Sequence, residues 1–417
     1  MPTGAGPTLF VAMEPYDPAA FAKRFPLLVD HPELTYLDSA ATTQRLDSVL
    51  ERLERFYREE NSNVHRGTYE LAARSTAAYE DARKAVAHYV HAASAEEIVF
   101  VRGTTEAINL VASCLSSQSV GPGDRILATA MEHHSNFLPW QRAAAKRKAQ
   151  FRVCGLTANG ELDLEDLERH LAGGRTKFLA VAHVSNVLGT VNPIKKITAV
   201  AHGVGALVLV DGARRADSGP IDVADLGCDF YAFSGHKMFA GTGIGVLWGR
   251  RALLERMEPY QLGGGMVETM TDDSYGCRSL PEKFEAGTPH IAGALGLHCA
   301  VDFLKNFSWD AYDSHRHTVS TYLEPALREI PGLRLLGNPM ERAGVYAVHH
   351  GTVHGHDLAT ALATKGICVR AGHHCTQPLH RLLGIAASLR ASFSIYNSLE
   401  QAKKFVEALR WAIRVLF

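Results

Sequence analysis

The chain has 417 residues with 43 Lys and Arg against 44 Asp and Glu, a formal net charge of −1. That balance leaves no global electrostatic footprint for nucleic acid or an anionic membrane. A hydrophobic share of 46% excludes disordered and fibrous classes, and no apolar run approaches the roughly 18–20 residues that would span a bilayer. The opening Met1 to Phe10 lacks a basic region followed by a hydrophobic core, so the expected location is cytoplasmic. Seven cysteines are an odd number without CxxC pairs, against a disulfide framework or a structural zinc site. Twenty-one histidines, some paired as in His133-His134 and His373-His374, keep a metal protein in view.

Met1 to Val11 is rich in Gly and Pro and reads as part of a flexible extension. From Leu46 onward, helical patterns alternate with short apolar runs: Ile98 to Val101, Arg125 to Ala128, Phe178 to Ala182, Ala206 to Val210, Phe230 to Phe233 and Ile244 to Leu247. Runs apolar on both faces predict buried, mostly parallel strands. Amphipathic helices are predicted between them over Thr105 to Leu115, Asn136 to Ala149, and Leu164 to Leu171 with Asp163 as N-cap. This alternation predicts a large α/β sheet. A long helical stretch, about Ala292 to Ile330, then leads into a smaller α+β set: strand Val345 to Val348, helix Asp357 to Lys365, strands Cys368 to Arg370 and Leu389 to Phe393, and helix Leu399 to Val415.

Several residues fall where an open α/β sheet binds ligands, at the carboxyl ends of strands. Asp211 ends one apolar run; such an acid is either a turn residue or the partner of a cation. Lys237 follows another in Ser234-Gly235-His236-Lys237. A lysine among apolar residues loses its proton and attacks carbonyls. Pyridoxal phosphate needs such a lysine, an acid for its pyridinium nitrogen and a phosphate cradle. Gly103-Thr104-Thr105-Glu106 opens a helix after a strand and reads either as that cradle or as a capping box, with Ser234 and His236 able to complete it. His133-His134 follows a third run. Adjacent rings on extended backbone cannot both reach one ion, so no metal site is expected there, whereas an imidazole flat on a pyridine ring with a role in proton transfer fits the position.

Ordered blocks along the chain, Tyr36 to Ala41, Asn63 to Gly67, Arg102 to Glu106, Met131 to Asn136, His183 to Gly189, Ser234 to Lys237, Phe284 to Pro289 and Arg370 to Cys375, together resemble the Suf-type (group II) cysteine desulfurases. These are class V aminotransferase, fold-type I enzymes, which serve iron–sulfur cluster assembly. The resemblance implies pyridoxal 5′-phosphate as cofactor and a large domain over 36–297 with a mixed, mostly parallel seven-stranded sheet. It further implies an extension over 1–13, an N-terminal segment 14–35 packing with the small domain, and a small α+β C-terminal domain over 298–417 that carries Cys375. By resemblance Lys237 bonds the cofactor, Asp211 faces its pyridinium, His133 stacks on its ring and assists catalysis, and Thr104, Thr105, Ser234 and His236 hold its phosphate. Thr288 would reach the phosphate of a second subunit in a homodimer. Asn186, Arg370 and Arg390 would contact the substrate, Arg390 forking its carboxylate.

Cys375 reads either as an inert buried thiol or, with Arg370, His373 and His374 close in sequence, as a thiolate. It matches the family's persulfide cysteine, so the implied reaction converts L-cysteine to L-alanine and delivers sulfur to an acceptor protein of SufU or SufE type. His356 aligns with a histidine offered to the zinc of a SufU-type acceptor; otherwise it belongs to a solvated helix cap. One residue departs from the family: Arg214 stands where glutamine usually donates to the cofactor's phenolic oxygen. A guanidinium there is expected to bind the cofactor, favouring the phenolate, or else to grip an acidic group of a different substrate. The alternatives are therefore another enzyme of this fold (a C–S lyase, an eliminating lyase or an epimerase) and a non-enzymatic metal-binding or sulfur-carrier protein.

Overall fold

The computed structural model describes residues 16–417; the extension expected over 1–13 lies outside them. The apolar runs form a seven-stranded sheet in the order Ile98–Val101, Gly245–Gly249, Phe230–Ser234, Leu207–Asp211, Thr176–Ala182, Arg125–Thr129, Gln150–Cys154. Gly245–Gly249 runs antiparallel to both neighbours and all other pairs are parallel. The mixed, mostly parallel sheet matches the expectation.

Alternation of side chains along a strand sends successive residues to opposite faces, and here both faces are apolar. Phe100, Leu127, Leu179, Val181, Val208, Val210, Tyr231 and Phe233 belong to one buried cluster, shared with helices Glu70–Tyr89, Ile194–His202 and Ile291–Lys305. Val99, Ile126, Ala128, Phe178, Ala180, Leu209, Phe230 and Ala232 belong to a second, under helices Thr104–Ser119 and Leu138–Arg147. A sheet covered on both sides explains why its strands read as continuous apolar runs. Gln150–Cys154, at one edge, did not read so because Gln150, Arg152 and Val153 are exposed, whereas the other edge strand, Ile98–Val101, is buried at every residue. Asp163 caps Leu164–Leu171 as predicted, its carboxylate accepting the Asp166 amide at 3.0 Å.

The long helical stretch is two helices, Ile291–Lys305 and Trp309–Arg328, broken at 306–308. The first packs wholly into the large sheet's core, whereas Val319, Leu323 and Leu327 of the second lie in a third cluster. That cluster fills an antiparallel sheet ordered Leu333–Leu335, Val345–His350, Ser388–Ser392, Arg370–Gly372, backed by Gly355–Ala363 and Leu399–Leu416. The segment expected as one strand over 368–370 divides: Ile367–Cys368 pairs with Thr35–Tyr36, and Arg370–Gly372 joins the four-stranded sheet. Ahead of Thr35, Tyr16 donates its hydroxyl to the Ile395 carbonyl at 2.6 Å, and Phe25 packs between Phe239 of the large sheet's side and Tyr396 of the smaller.

Gly245 lies where its strand and the loop at Gly103 nearly touch. A Cβ there would stand 2.5 Å from Gly103 Cα and 2.7 Å from the Phe233 carbonyl. Backbone cannot yield as a side-chain tip does, so Gly245→Ala is expected to destabilise the fold by about 2 kcal/mol, as overpacking does. Gly351→Ala, with open space around it, is expected to leave the denaturation midpoint unchanged; equal midpoints for the two variants would contradict the close approach.

Candidate active site

The ends of the parallel strands gather the chemistry. One cavity of about 190 Å³ is lined by Thr104, Thr105, His133, Asn186, Asp211, Arg214, Ser234, His236, Lys237, Arg370 and Arg390, together with His374 and small residues including Ala40 and Ala182. Residues from Ala40 to Arg390 in sequence thus meet, largely because successive strands deliver their carboxyl ends to one edge. Two larger grooves, of about 810 and 680 Å³ and lined by residues between 313 and 417, contain none of these residues.

At the cradle, the Thr104 amide donates to Ser234 Oγ at 2.9 Å and the Thr104 and Ser234 hydroxyls meet at 2.8 Å, while Thr105 and Ser135 hydroxyls meet at 2.7 Å. They surround the start of the 16-residue helix Thr104–Ser119, whose first amides have no partner within the helix. Gly103 keeps the loop against Ser234: a Cβ would lie 3.1 Å from its Oγ. His236 is held by Thr42, whose hydroxyl lies 3.3 Å from Nδ1, and by Thr42 and Thr43 hydroxyls donating to its carbonyl.

Lys237 follows strand Phe230–Ser234 in a single helical turn and lines the cavity. Burial pushes its ammonium down to about 8, against the attraction of Asp211 and with Arg390 adding to the depression. Asp211 is buried, which raises its carboxyl; the Ala213 amide, donating at 2.9 Å, and Lys237 oppose that. His133 accepts the Ser135 amide at Nδ1 (3.1 Å), so its neutral ring carries the proton on Nε2. Burial, and next Lys237, holds its imidazolium down at about 3.

On the opposite wall, Arg390 is 1% exposed. It donates to Asp38 Oδ1 at 2.9 Å and to the Asn186 carbonyl at 3.1 Å. The Asn186 side chain donates to the His374 carbonyl at 2.9 Å. Among the described residues, Arg390 Nε, Arg214 Nε and His374 Nδ1 are buried without partners. Unsatisfied buried donors, hydroxyls and helix amides around a lysine–carboxylate pair form a donor set suited to an aromatic phosphate aldehyde and an amino-acid carboxylate. Pyridoxal phosphate therefore fits these residues.

Cys375 is not in the cavity lining. It stands half-buried beside it, its Sγ 4.0 Å from an Arg370 Nη2, and its carbonyl accepts the His134 amide at 2.7 Å. His374 and Cys375 both have left-handed backbone, φ 49° and 58°, a conformation costing non-glycine residues of order 1–2 kcal/mol each. The loop is fixed by the His134, Asn186 and Ser388 contacts, the last at 3.0 Å to His374 Nε2. Arg214 borders the cavity, yet its guanidinium pairs with Asp217 and donates to the Phe393 carbonyl at 3.2 Å. Thr288 lies elsewhere, exposed beside a second small cavity with Asn63, His65, Arg66 and Arg278. His356 is exposed, its Nε2 4.0 Å from where a Cβ on Gly372 would stand, on the strand that leads into the Cys375 loop. The rings of His133 and His134 are 6.3 Å apart, and among the described residues no three His, Cys, Asp or Glu side chains are placed to hold a metal.

Two participants escaped the sequence reading. Asp38 orients Arg390, and its only signal is its place within Tyr36 to Ala41. Glu132, fully buried, accepts from Thr129, Asn136 and the Ala182 amide and so pins the connection carrying His133 to the ends of two strands. Burial, opposed by these donors, raises its carboxyl to about 8; its signal was an acid directly preceding the histidine pair.

The model of the aminotransferase class-V family matches residues 35–405. A probable cysteine desulfurase of Halalkalibacterium halodurans is 47% identical over 390 residues, covering 93% of this chain and 96% of that one. One from Staphylococcus epidermidis is 44% identical over 404 residues, covering 96% and 98%. Among solved structures, the cysteine desulfurase CsdA of Escherichia coli has a TM-score of 0.89 at 40% identity, covering 96% of this chain and all of that one. The apo cysteine desulfurase of Thermococcus onnurineus has a TM-score of 0.91 at 36% identity, covering 97% of this chain and 100% of that one. With a family match across most of its length and relatives near half identical from end to end, the chain belongs to the class-V aminotransferase family.

Proposed function

We propose that this protein is a pyridoxal-5′-phosphate-dependent cysteine desulfurase, converting L-cysteine to L-alanine and leaving the sulfur on Cys375 as a persulfide for an acceptor protein. The observation that carries the reading is the placement of Cys375 against Arg370, at the rim of the cavity that joins Lys237 and Asp211 to Arg390.

Thr104, Thr105, Ser234 and His236, with the helix amides, would hold the cofactor's phosphate, and His133 and Asp211, which line the same cavity, would hold its ring. When bound, the cofactor supplies an electron sink for the pair left on the substrate's Cα, which weakens the Cβ–S bond. Arg390, fixed by Asp38, forks the substrate carboxylate, and Asn186 and Arg370 border the same end. Lys237 Nζ, whose lowered pKa leaves roughly one tenth of it neutral at pH 7, would be the residue that holds the cofactor covalently, and its free amine takes the Cα proton. Cys375 Sγ then attacks the substrate sulfur. The Sγ–S bond forms as the Cβ–S bond breaks and the bonding pair stays on Cβ; a proton from the enzyme goes to Cβ, Lys237 returns the proton to Cα, and alanine is complete, with His133 assisting through its Nε2–H.

The domain division fits best with a boundary between the helices Ile291–Lys305 and Trp309–Arg328, since the first belongs to the large sheet's core. Thr288, exposed and away from its own chain's cavity, suits a homodimer in which it reaches the second subunit's phosphate. The acceptor is of SufU or SufE type, and His356, exposed near the Cys375 loop, suits a SufU-type acceptor's zinc. No helix among the described residues is long and apolar enough to cross a membrane, and the cytoplasm is the proposed location.

Capture of cofactor by the apoprotein needs the neutral Lys237 amine. Its rate is expected to rise with pH through a midpoint of about 8, because a lowered pKa populates the free base above that value. Lys237→Ala should lose the borohydride-trapped bond; trapping that persists in this variant would assign the role to another lysine. Cys375→Ser should bind L-cysteine yet release alanine at least about 100-fold more slowly, with no persulfide mass on its peptide, since a hydroxyl is neither ionised nor able to accept sulfur. Near-normal alanine release would remove Cys375 from the reaction, and pyruvate as product would point to a lyase. Thr288→Ala should weaken cofactor retention, and in dimers mixed from Thr288→Ala and Lys237→Ala subunits both defects should fall in one site and leave the other intact, whereas unshared sites would carry one defect each. Retention equal to that of the unaltered protein would argue against the shared site.

A further inference from the structure

Arg214 sits on the turn after strand Leu207–Asp211 and is 2% exposed. Its guanidinium pairs with Asp217, which is fully buried, and its Nη2 donates to the carbonyls of Phe393 at 3.2 Å and Ala343 at 3.5 Å. Asp217 in turn accepts the Ser394 hydroxyl at 3.1 Å on its other oxygen. Phe393 and Ser394 directly follow strand Ser388–Ser392, which bears Arg390, and Ala343 precedes strand Val345–His350. A single ion pair of the large sheet therefore gathers three atoms from two segments of the C-terminal domain.

We infer that the Arg214–Asp217 pair is an inter-domain latch, and that Arg214 is a positioning residue which sets Arg390 and, through the neighbouring strand Arg370–Gly372, the Cys375 loop over the Lys237 site. The inference rests on the reading of Arg390 as the holder of the substrate carboxylate. The carbonyls of Ala343 and Phe393 lie at strand ends, and the guanidinium satisfies both while its charge is met by Asp217. A buried pair with satisfied neighbours specifies geometry more than it adds stability. Burial lowers the guanidinium only to about 10, so Arg214 stays charged at neutral pH.

Arg214→Gln alone strands the Asp217 charge and risks misfolding. The test is therefore the neutral pair Arg214→Gln with Asp217→Asn, beside the single change Ser394→Ala, all as holoenzymes. The latch predicts a KM for L-cysteine raised about fivefold or more in the neutral pair and about twofold in Ser394→Ala, with kcat within about twofold. Amide exchange over residues 388–394 should be faster in both, while the visible spectrum of the bound cofactor and its pH titration stay unmoved. Unchanged KM and exchange in the neutral pair would overturn the latch. So would a shifted spectral titration in the neutral pair alone, which would make Arg214 a cofactor ligand through its unpartnered Nε. If the unaltered holoenzyme releases no alanine from L-cysteine, the proposed function fails, and the exchange measurement still decides the latch.

Discussion

An ammonium enclosed by protein keeps its proton only as far as neighbouring charge compensates for lost water, and the cavity at the sheet's edge sets that balance for Lys237. Asp211 draws its proton affinity up while burial and Arg390 draw it down, leaving it near 8. The sheet arranges this opposition. Asp211 and Lys237 end or follow adjacent parallel strands, and Gly245 on the next strand comes so close to Gly103 that the phosphate cradle is fastened to the same edge. Tight packing on both faces makes the edge rigid, so lysine, carboxylate and cradle are held in fixed relation.

The opposite wall comes from the smaller sheet, and its organisation depends on Arg390. Asp38 and the Asn186 carbonyl hold two of its donor nitrogens and leave Nε free. The Cys375 loop is tied to both walls: His134 belongs to the connection that Glu132 anchors, and Asn186 to the large domain. Two consecutive left-handed residues persist because these contacts over-determine the backbone. The thiol is thereby kept beside Arg370 at the rim, where a sulfur taken from substrate remains within reach of a partner.

Since the two walls belong to different domains, their relation decides whether substrate and lysine meet. The N-terminal segment crosses the junction, with Phe25 between Phe239 and Tyr396 and Thr35–Tyr36 paired to Ile367–Cys368. Apolar contact of this kind is adhesive but tolerant of small slides, whereas hydrogen-bonded ion pairs at the same junction have direction. Arg390–Asp38 supplies that direction on one side, and on the other the hydrogen bonds from Arg214 to the Phe393 carbonyl and from Ser394 to Asp217 supply it at the turn after the strand carrying Asp211.

The sequence by itself determined the large sheet and most of the chemistry, for a physical reason. Strands buried on both faces must be apolar throughout, so their ends are visible as the points where polar residues resume, and in this topology those ends are where ligands bind. Asp211, Lys237, His133 and the Gly103 to Thr105 turn were legible on that ground, and the ordered blocks placed Asn186, Arg390 and Cys375. The edge strand Gln150–Cys154 was not, because one exposed side removes the signal; nor was the break in the helical stretch at 306–308, since both helices keep an apolar face. Only the tertiary structure decided where charges find partners. Asp38 and Arg390 are 352 positions apart, Glu132 is one acid among 44, and Arg214 looked like a cofactor donor by its place in the motif. Its side chain lines the cavity and also meets Asp217 and two strand-end carbonyls, contacts set by which buried acceptors lie within reach after folding.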